Sequence, residues 1–209
     1  AGDGSIEFAG IEFLLESAVE YAPDHLGARM DYLKILNRKS KFEKAYEQAK
    51  VLNRAQPENP AFQLSLASAL VGLGRFEEGI AKYQTSLEKS PNKPGVYVML
   101  GHAQKAVGAL EDAIASYRAA YDLRPDYGDA YWSLANTKTY RFSDEEIRHI
   151  QAYAEKPEVT EEDRAHLFFA AGKALEDRRD FEQSFVYYEK GNDLKRRRSG
   201  YDPDKTAEM

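Results

Sequence analysis

The sequence predicts an all-α solenoid of stacked helical hairpins, about five and a half repeats long, and three observations carry that reading. Pro23, Pro57, Pro91 and Pro125 recur at a constant spacing of 34 residues. Small and apolar residues recur in fixed columns between them. Turn residues, notably Gly74 and Gly108, fall once per period where a hairpin must reverse. A repeat of this length is one helix-turn-helix, which cannot bury its apolar face alone and must stack on its neighbours. Function is then to be sought on an extended surface.

The columns justify each helix in turn. An aromatic or leucine recurs at Phe8, Phe42, Phe76 and Leu110, and a mostly small residue follows three positions later at Ile11, Ala45, Gly79 and Ala113. These open the second helix of each hairpin. Leu15, Ala49, Tyr83 and Tyr117, then Ala18, Leu52, Ser86 and Ala120, keep one side of that helix largely apolar at helical period. In the first helix the matching columns are Tyr32, Leu66, Leu100 and Leu134, each followed by Leu33, Ala67, Gly101 or Ala135, where a small side chain lets two helices approach closely. Asn59 before Pro60 reads as a helix cap followed by a first-turn proline. Ser143 with Glu146, and Thr160 with Asp163, have capping-box spacing and mark new helices.

These signals divide the chain into the second helix of a partial repeat (5–22), hairpins at 24–56, 59–90, 93–124, 127–156 and 160–198, and a polar tail or linker at 199–209. They are expected to form one continuous array. The register loosens after Lys138, where Phe142 stands in place of the turn glycine, and returns about three residues late with Phe168, Ala171, Gly172, Leu175, Phe181 and Tyr188. Because the array opens on a second helix, further repeats are expected before Ala1.

Composition narrows the function. A net charge of −6 argues against general nucleic-acid binding through a basic face. The absence of cysteine excludes disulfides, thiolate zinc sites and cysteine nucleophiles. No apolar run approaches the ~18 residues of a membrane span. His25, His102, His149 and His166 form no metal-ligand spacing, so no metal site is expected. Carboxylate pairs such as Glu77-Glu78, Glu145-Glu146 and Glu161-Glu162 sit near helix starts, where acids complement the dipole, and imply no general acid or base. No catalytic residues are assigned. The basic run Lys195-Arg196-Arg197-Arg198 reads as a complement to the C-terminus of the last helix.

The leucine and small-residue pair, the hairpin glycine, the alanine, the aromatic and the closing proline together resemble the tetratricopeptide repeat family, over nearly the whole chain. That resemblance implies a right-handed solenoid whose first helices line a concave groove for a protein or peptide. By column the groove candidates are Lys34, His102, Lys105, Trp132, Asn136 and Lys173. Trp132, the only tryptophan, is the strongest as a large contact of low entropic cost; the alternative is that it plugs the junction between the fourth and fifth hairpins. The lysine, asparagine and arginine clamp of chaperone-tail receptors is missing, with Met30, Ser65, Gly95 and Met99 among its columns.

A narrower resemblance lies in Ala130-Tyr131-Trp132-Ser133-Leu134-Ala135-Asn136, Lys138, Arg141-Phe142-Ser143, Gly172-Lys173-Ala174-Leu175-Glu176-Asp177 and Gly200-Tyr201-Asp202-Pro203. These look like bacterial proteins that join such repeats to a sulfotransferase domain. The resemblance implies a cytoplasmic, non-catalytic arm without its own cofactor. The sulfonucleotide 3'-phosphoadenosine 5'-phosphosulfate would bind in a catalytic domain beyond Met209. The alternative is a free-standing adaptor with no enzyme attached. No membrane or nucleic-acid partner is expected, whereas exposed stacking faces at the two ends offer a homodimer contact.

Overall fold

The computed structural model describes residues 4–199, and the side chains of 10–197. Among the described residues there are eleven α-helices and no strands. They divide into two compact units, 1–91 and 92–209. The first holds α1 (Gly4–Tyr21), α2 (Leu26–Arg38), α3 (Phe42–Ala55), α4 (Pro60–Gly72) and α5 (Phe76–Lys89). The second holds α6 (Pro94–Ala106), α7 (Leu110–Leu123), α8 (Gly128–Ala135), α9 (Asp144–Ala154), α10 (Glu161–Asp177) and α11 (Phe181–Ser199).

In the first unit each helix packs on the next in sequence, because residues at the repeating columns are withdrawn from water. Tyr32, Leu66, Ala67, Ala45, Ala49, Leu52 and Tyr83 are all buried there. Second helices begin at Phe42 and Phe76, where the aromatic column places them. Asn59 Oδ1 accepts from the Ala61 amide at 3.0 Å and Pro60 follows as the first helical residue, so an otherwise unpaired amide of α4 is satisfied. Hairpin turns pass through the left-handed region at Ser40, Gly74, Gly108 and Arg179, and glycine meets that demand without steric cost at two of the four. The side chain of Phe8 and residues 200–209, including Gly200-Tyr201-Asp202-Pro203 and most of the expected tail, lie outside those described.

In the second unit α6 packs on α7, α7 on α8, and α10 on α8, α9 and α11. Its core joins Tyr117, Ala120, Tyr131 and Leu134 to Ile147, Ile150, Leu167 and Phe168. The register loosens at a physical discontinuity. Helix α8 has only eight residues, and Lys138, at φ 64°, turns the chain before the segment that carries Phe142 into the core. Helix α9 then packs on α10. Ser143 and Glu146 form a complete capping box at the start of α9.

The Thr160–Asp163 pair departs from its expected box. Thr160 Oγ1 accepts from the Asp163 amide at 3.1 Å, but the Asp163 carboxylate turns away from the N-cap backbone. Its Oδ1 accepts from the Gly128 amide at 3.0 Å, and its Oδ2 from Arg124 and, at 2.8 Å, from the Thr160 hydroxyl. A charged donor across the helix interface outcompetes the local amide. Asp163 thereby ties the α7–α8 turn to α10, and Gly128 approaches the α10 backbone where no side chain has room.

Candidate functional site

Four of the six column-predicted residues lie on first helices of the second unit, His102 and Lys105 on α6, Trp132 on α8 and Lys173 on α10, and Asn136 is the C-cap residue of α8. Lys34 lies on α2 in the first unit, exposed and paired with Asp31 at 2.8 Å.

Two contacts on this face share one offset. His102 Nε2 stands 3.0 Å from Ser133 Oγ, 31 residues on, and Lys105 Nζ donates to the Asn136 carbonyl oxygen at 2.9 Å, also 31 residues on. Lys105 is thereby spent on the C-terminal carbonyl of α8, where a cation is favoured, and the Asn136 side chain stays exposed. Half-buried Trp132 sets its ring 5.5 Å from that of Phe169 on α10. The ring packs between α8 and α10 and leaves part of its surface to solvent. Phe169 is flanked by Tyr188 at 6.4 Å and by the Lys195 ammonium at 5.1 Å, which fixes the floor beneath Trp132. Lys173 pairs with Asp177 at 2.6 Å, and Arg141 reaches the same carboxylate at 3.3 Å.

The polar end of this face was not legible in the columns. Ser133 Oγ donates to Asp129 Oδ1 at 3.4 Å, so His102, Ser133 and Asp129 form a chain with the hydroxyl in the middle. The carboxylate bonds the hydroxyl and not the imidazole, which is not the order of a catalytic triad. Burial, with the ring set edge-on to Tyr117 at 5.6 Å, holds the His102 imidazole below its ordinary value, against the pull of the Asp129 carboxylate. With the Ser133 hydroxyl donating to Asp129, an N–H at His102 Nε2 completes the contact to Ser133. The chain is suited to hold side chains in place and to offer a polar edge.

An aromatic ladder runs along α7, α8 and α9. Tyr121 stacks on Tyr131 at 4.6 Å, His149 stacks on Tyr153 at 4.5 Å, and the Lys156 ammonium sits 3.8 Å from the Tyr153 centroid. Tyr121 and Tyr140 both donate to Glu146. Burial raises the Glu146 carboxyl, but hydrogen bonds from Tyr140, Ser143 and Tyr121 outweigh it and hold the group below the usual carboxylate range. These contacts bind α7, the connecting segment and α9 together. In the basic run, Arg196 pairs with Asp193 and Lys195 covers Phe169, so both cations serve α11 and its neighbours. Among the described residues no three His, Asp or Glu side chains are grouped to hold a metal ion, and no helix is long and apolar enough to cross a membrane.

Residues 41–94 and 94–127 each match a tetratricopeptide repeat family. No curated protein matches the chain in sequence. Its fold is similar to that of BtubC (BKLC) from P. vanneervenii, at a TM-score of 0.63 and 13% identity over 95% of this chain and 92% of that one. MamA from Desulfovibrio magneticus RS-1 is similar at a TM-score of 0.56 and 16% identity, over 83% and 96%. YrrB, described as a tetratricopeptide-repeat protein with an unusual peptide-binding site, is similar at 0.52 and 16%, over 86% and 91%. At these identities the likeness is one of fold. From α3 through α7, and in a fold shared with solved proteins of that kind, the chain is built of tetratricopeptide repeats.

Proposed function

We propose that this protein is an interaction scaffold whose second unit holds an extended segment of a partner along the faces of α6, α8 and α10. The observation that carries the reading is Trp132. It is the sole tryptophan, half-buried against Phe169, with polar edges at His102 and Lys105 on one side and Lys173 on the other. A ring already immobilised on one face presents its remaining surface at little further entropic cost, which is the profile of a binding anchor. Lys34 would belong to a separate contact on the first unit.

The test is a peptide selected by display against the whole chain. Trp132→Ala is expected to weaken its binding by a factor of at least ~30, the ~2 kcal/mol of an aromatic anchor, while Trp132→Phe retains most of the affinity. Unchanged affinity in Trp132→Ala, with the helical content intact by circular dichroism, would remove the proposal.

The reading extends to the cytoplasmic arm of a larger sulfotransferase that presents a substrate or partner to a catalytic domain beyond Met209. Its support is the resemblance at 130–143 and 172–177. Many of those residues are buried, including Tyr131, Leu134, Ala135, Ala174 and Leu175, so packing accounts for part of that pattern. A protein encoded well past Met209 that fails to bind the sulfonucleotide by calorimetry would favour the adaptor. A second copy of the chain is a further proposed partner, supported by Phe13 and Leu14 on α1 and by Phe181 and Phe185 on α11, each more than 60% exposed.

A further inference from the structure

Helix α11 is the last described helix of the second unit, and its inner face is fixed on α10. Ser184 Oγ donates to the Gly172 carbonyl oxygen at 2.8 Å, Gly191 lies against the Phe169 ring, and Leu194 is buried. The outer face keeps Phe181 at 64% exposure and Phe185 at 67%. Earlier repeats show what these two columns do. Phe42 occupies the column of Phe181, and its ring lies against Gly72 of α4, where an added Cβ would stand 2.4 Å from it. Tyr46 and Ile114 occupy the column of Phe185. Each packs against a core cluster to which the following first helix contributes, with Phe62 and Leu66 for Tyr46 and Tyr131 and Leu134 for Ile114. Phe181 and Phe185 therefore stand at positions that elsewhere receive a helix.

The charges on α11 select among helices. Glu182 stands in its first turn, and Arg196 and Arg197 stand near its end, all three exposed. A helix of the same charge order laid antiparallel sets acid against base at both ends, whereas laid parallel it sets like against like. The apolar residues Phe13 and Leu14 on α1 are exposed as well, but α1 carries no cation. Two copies of α1 would thus face acid with acid, and α1 laid on α11 would leave Glu182 unmatched.

We infer that α11 pairs with α11 of a second copy of this chain, antiparallel about a two-fold axis near the middle of the helix; the inference rests on the second-copy reading given above. Glu182 of each copy meets the Arg196–Arg197 end of the other, and Phe181 and Phe185 lie under the aliphatic arms and guanidinium planes of those arginines. Aromatic and arginine side chains are the ones that interfaces concentrate. The contact is isologous, so it closes at two copies. Because Tyr188 and Lys195 of α11 flank Phe169, the pairing helix stands behind the Trp132 anchor and joins two partner-binding faces in one assembly.

Sedimentation equilibrium of the whole chain tests this. The average mass is expected to rise from that of one chain towards that of two and no further, with a dissociation constant on the order of 10 μM. Phe185→Lys should weaken association at least ~30-fold. Its side chain is largely in solvent, so helical content by circular dichroism should not change. Phe13→Ser should leave association as it is. Charge reversal reads the orientation. Glu182→Lys and Arg197→Glu should each weaken self-association about tenfold, and an equimolar mixture of the two variants should regain it, because each copy then presents the charge that the other lacks.

A mixture that associates no better than either variant alone, association that survives Phe185→Lys, or association that Phe13→Ser abolishes would overturn the inference and leave the second-copy reading standing. A chain that stays monomeric at about millimolar concentration would overturn both.

Discussion

Gly128→Ala is expected to destabilise the second unit by about 3 kcal/mol, the upper end of the cost of overpacking. A Cβ built at this position would stand 2.1 Å from the Asp163 carbonyl oxygen and 2.8 Å from its carbonyl carbon and Cα. The obstacle is backbone, so no side-chain rotation relieves it, and α10 must move off α8 before the methyl fits. Helix propensity points the other way, because alanine in place of an exposed helical glycine stabilises by about 1 kcal/mol. The sign of the change therefore separates the two accounts. Urea unfolding followed by circular dichroism reads it, and a neutral or stabilised variant would mean that α8 and α10 are not so closely apposed.

Asp163→Ala is expected to cost about 2–4 kcal/mol, most of it from the partners it abandons. Its side chain is 9% exposed and accepts from the Gly128 amide, the Thr160 hydroxyl and the Arg124 guanidinium. Arg124 is more exposed and keeps Asp126, so its charge is partly met by water and by that neighbour. The Gly128 amide has no such recourse. Asp163→Asn retains an oxygen that can accept from Gly128 and should cost roughly half as much. Equal losses in the two variants, by the same unfolding measurement, would mean that the charge rather than the amide acceptor is what holds the turn to α10.

The sequence makes the helices legible because each column repeats the same packing problem. Tyr32, Leu66, Leu100 and Leu134 are buried at one column, and Phe42, Phe76 and Leu110 open their helices at another. Column position also singles out His102, Lys105, Trp132, Asn136 and Lys173 along the first helices. What binds those residues to one another depends on the register between helices. The offset of 31 residues that joins His102 to Ser133 and Lys105 to Asn136 differs from the repeat length of 34.

Asp163 shows the limit more sharply. Its spacing from Thr160 is that of a local cap, yet Gly128 and Arg124, 35 and 39 residues earlier, hold its carboxylate. The shortened α8 brings them there, and nothing within a short window of sequence announces it.

The central claim is that a partner segment lies across α6, α8 and α10 with Trp132 beneath it. Amide hydrogen exchange of the whole chain, with and without a saturating display-selected peptide, tests that directly. Slowed exchange concentrated in α6, α8 and α10 is the predicted result. Protection confined to α7, α9 and α11, or to the first unit, would contradict it.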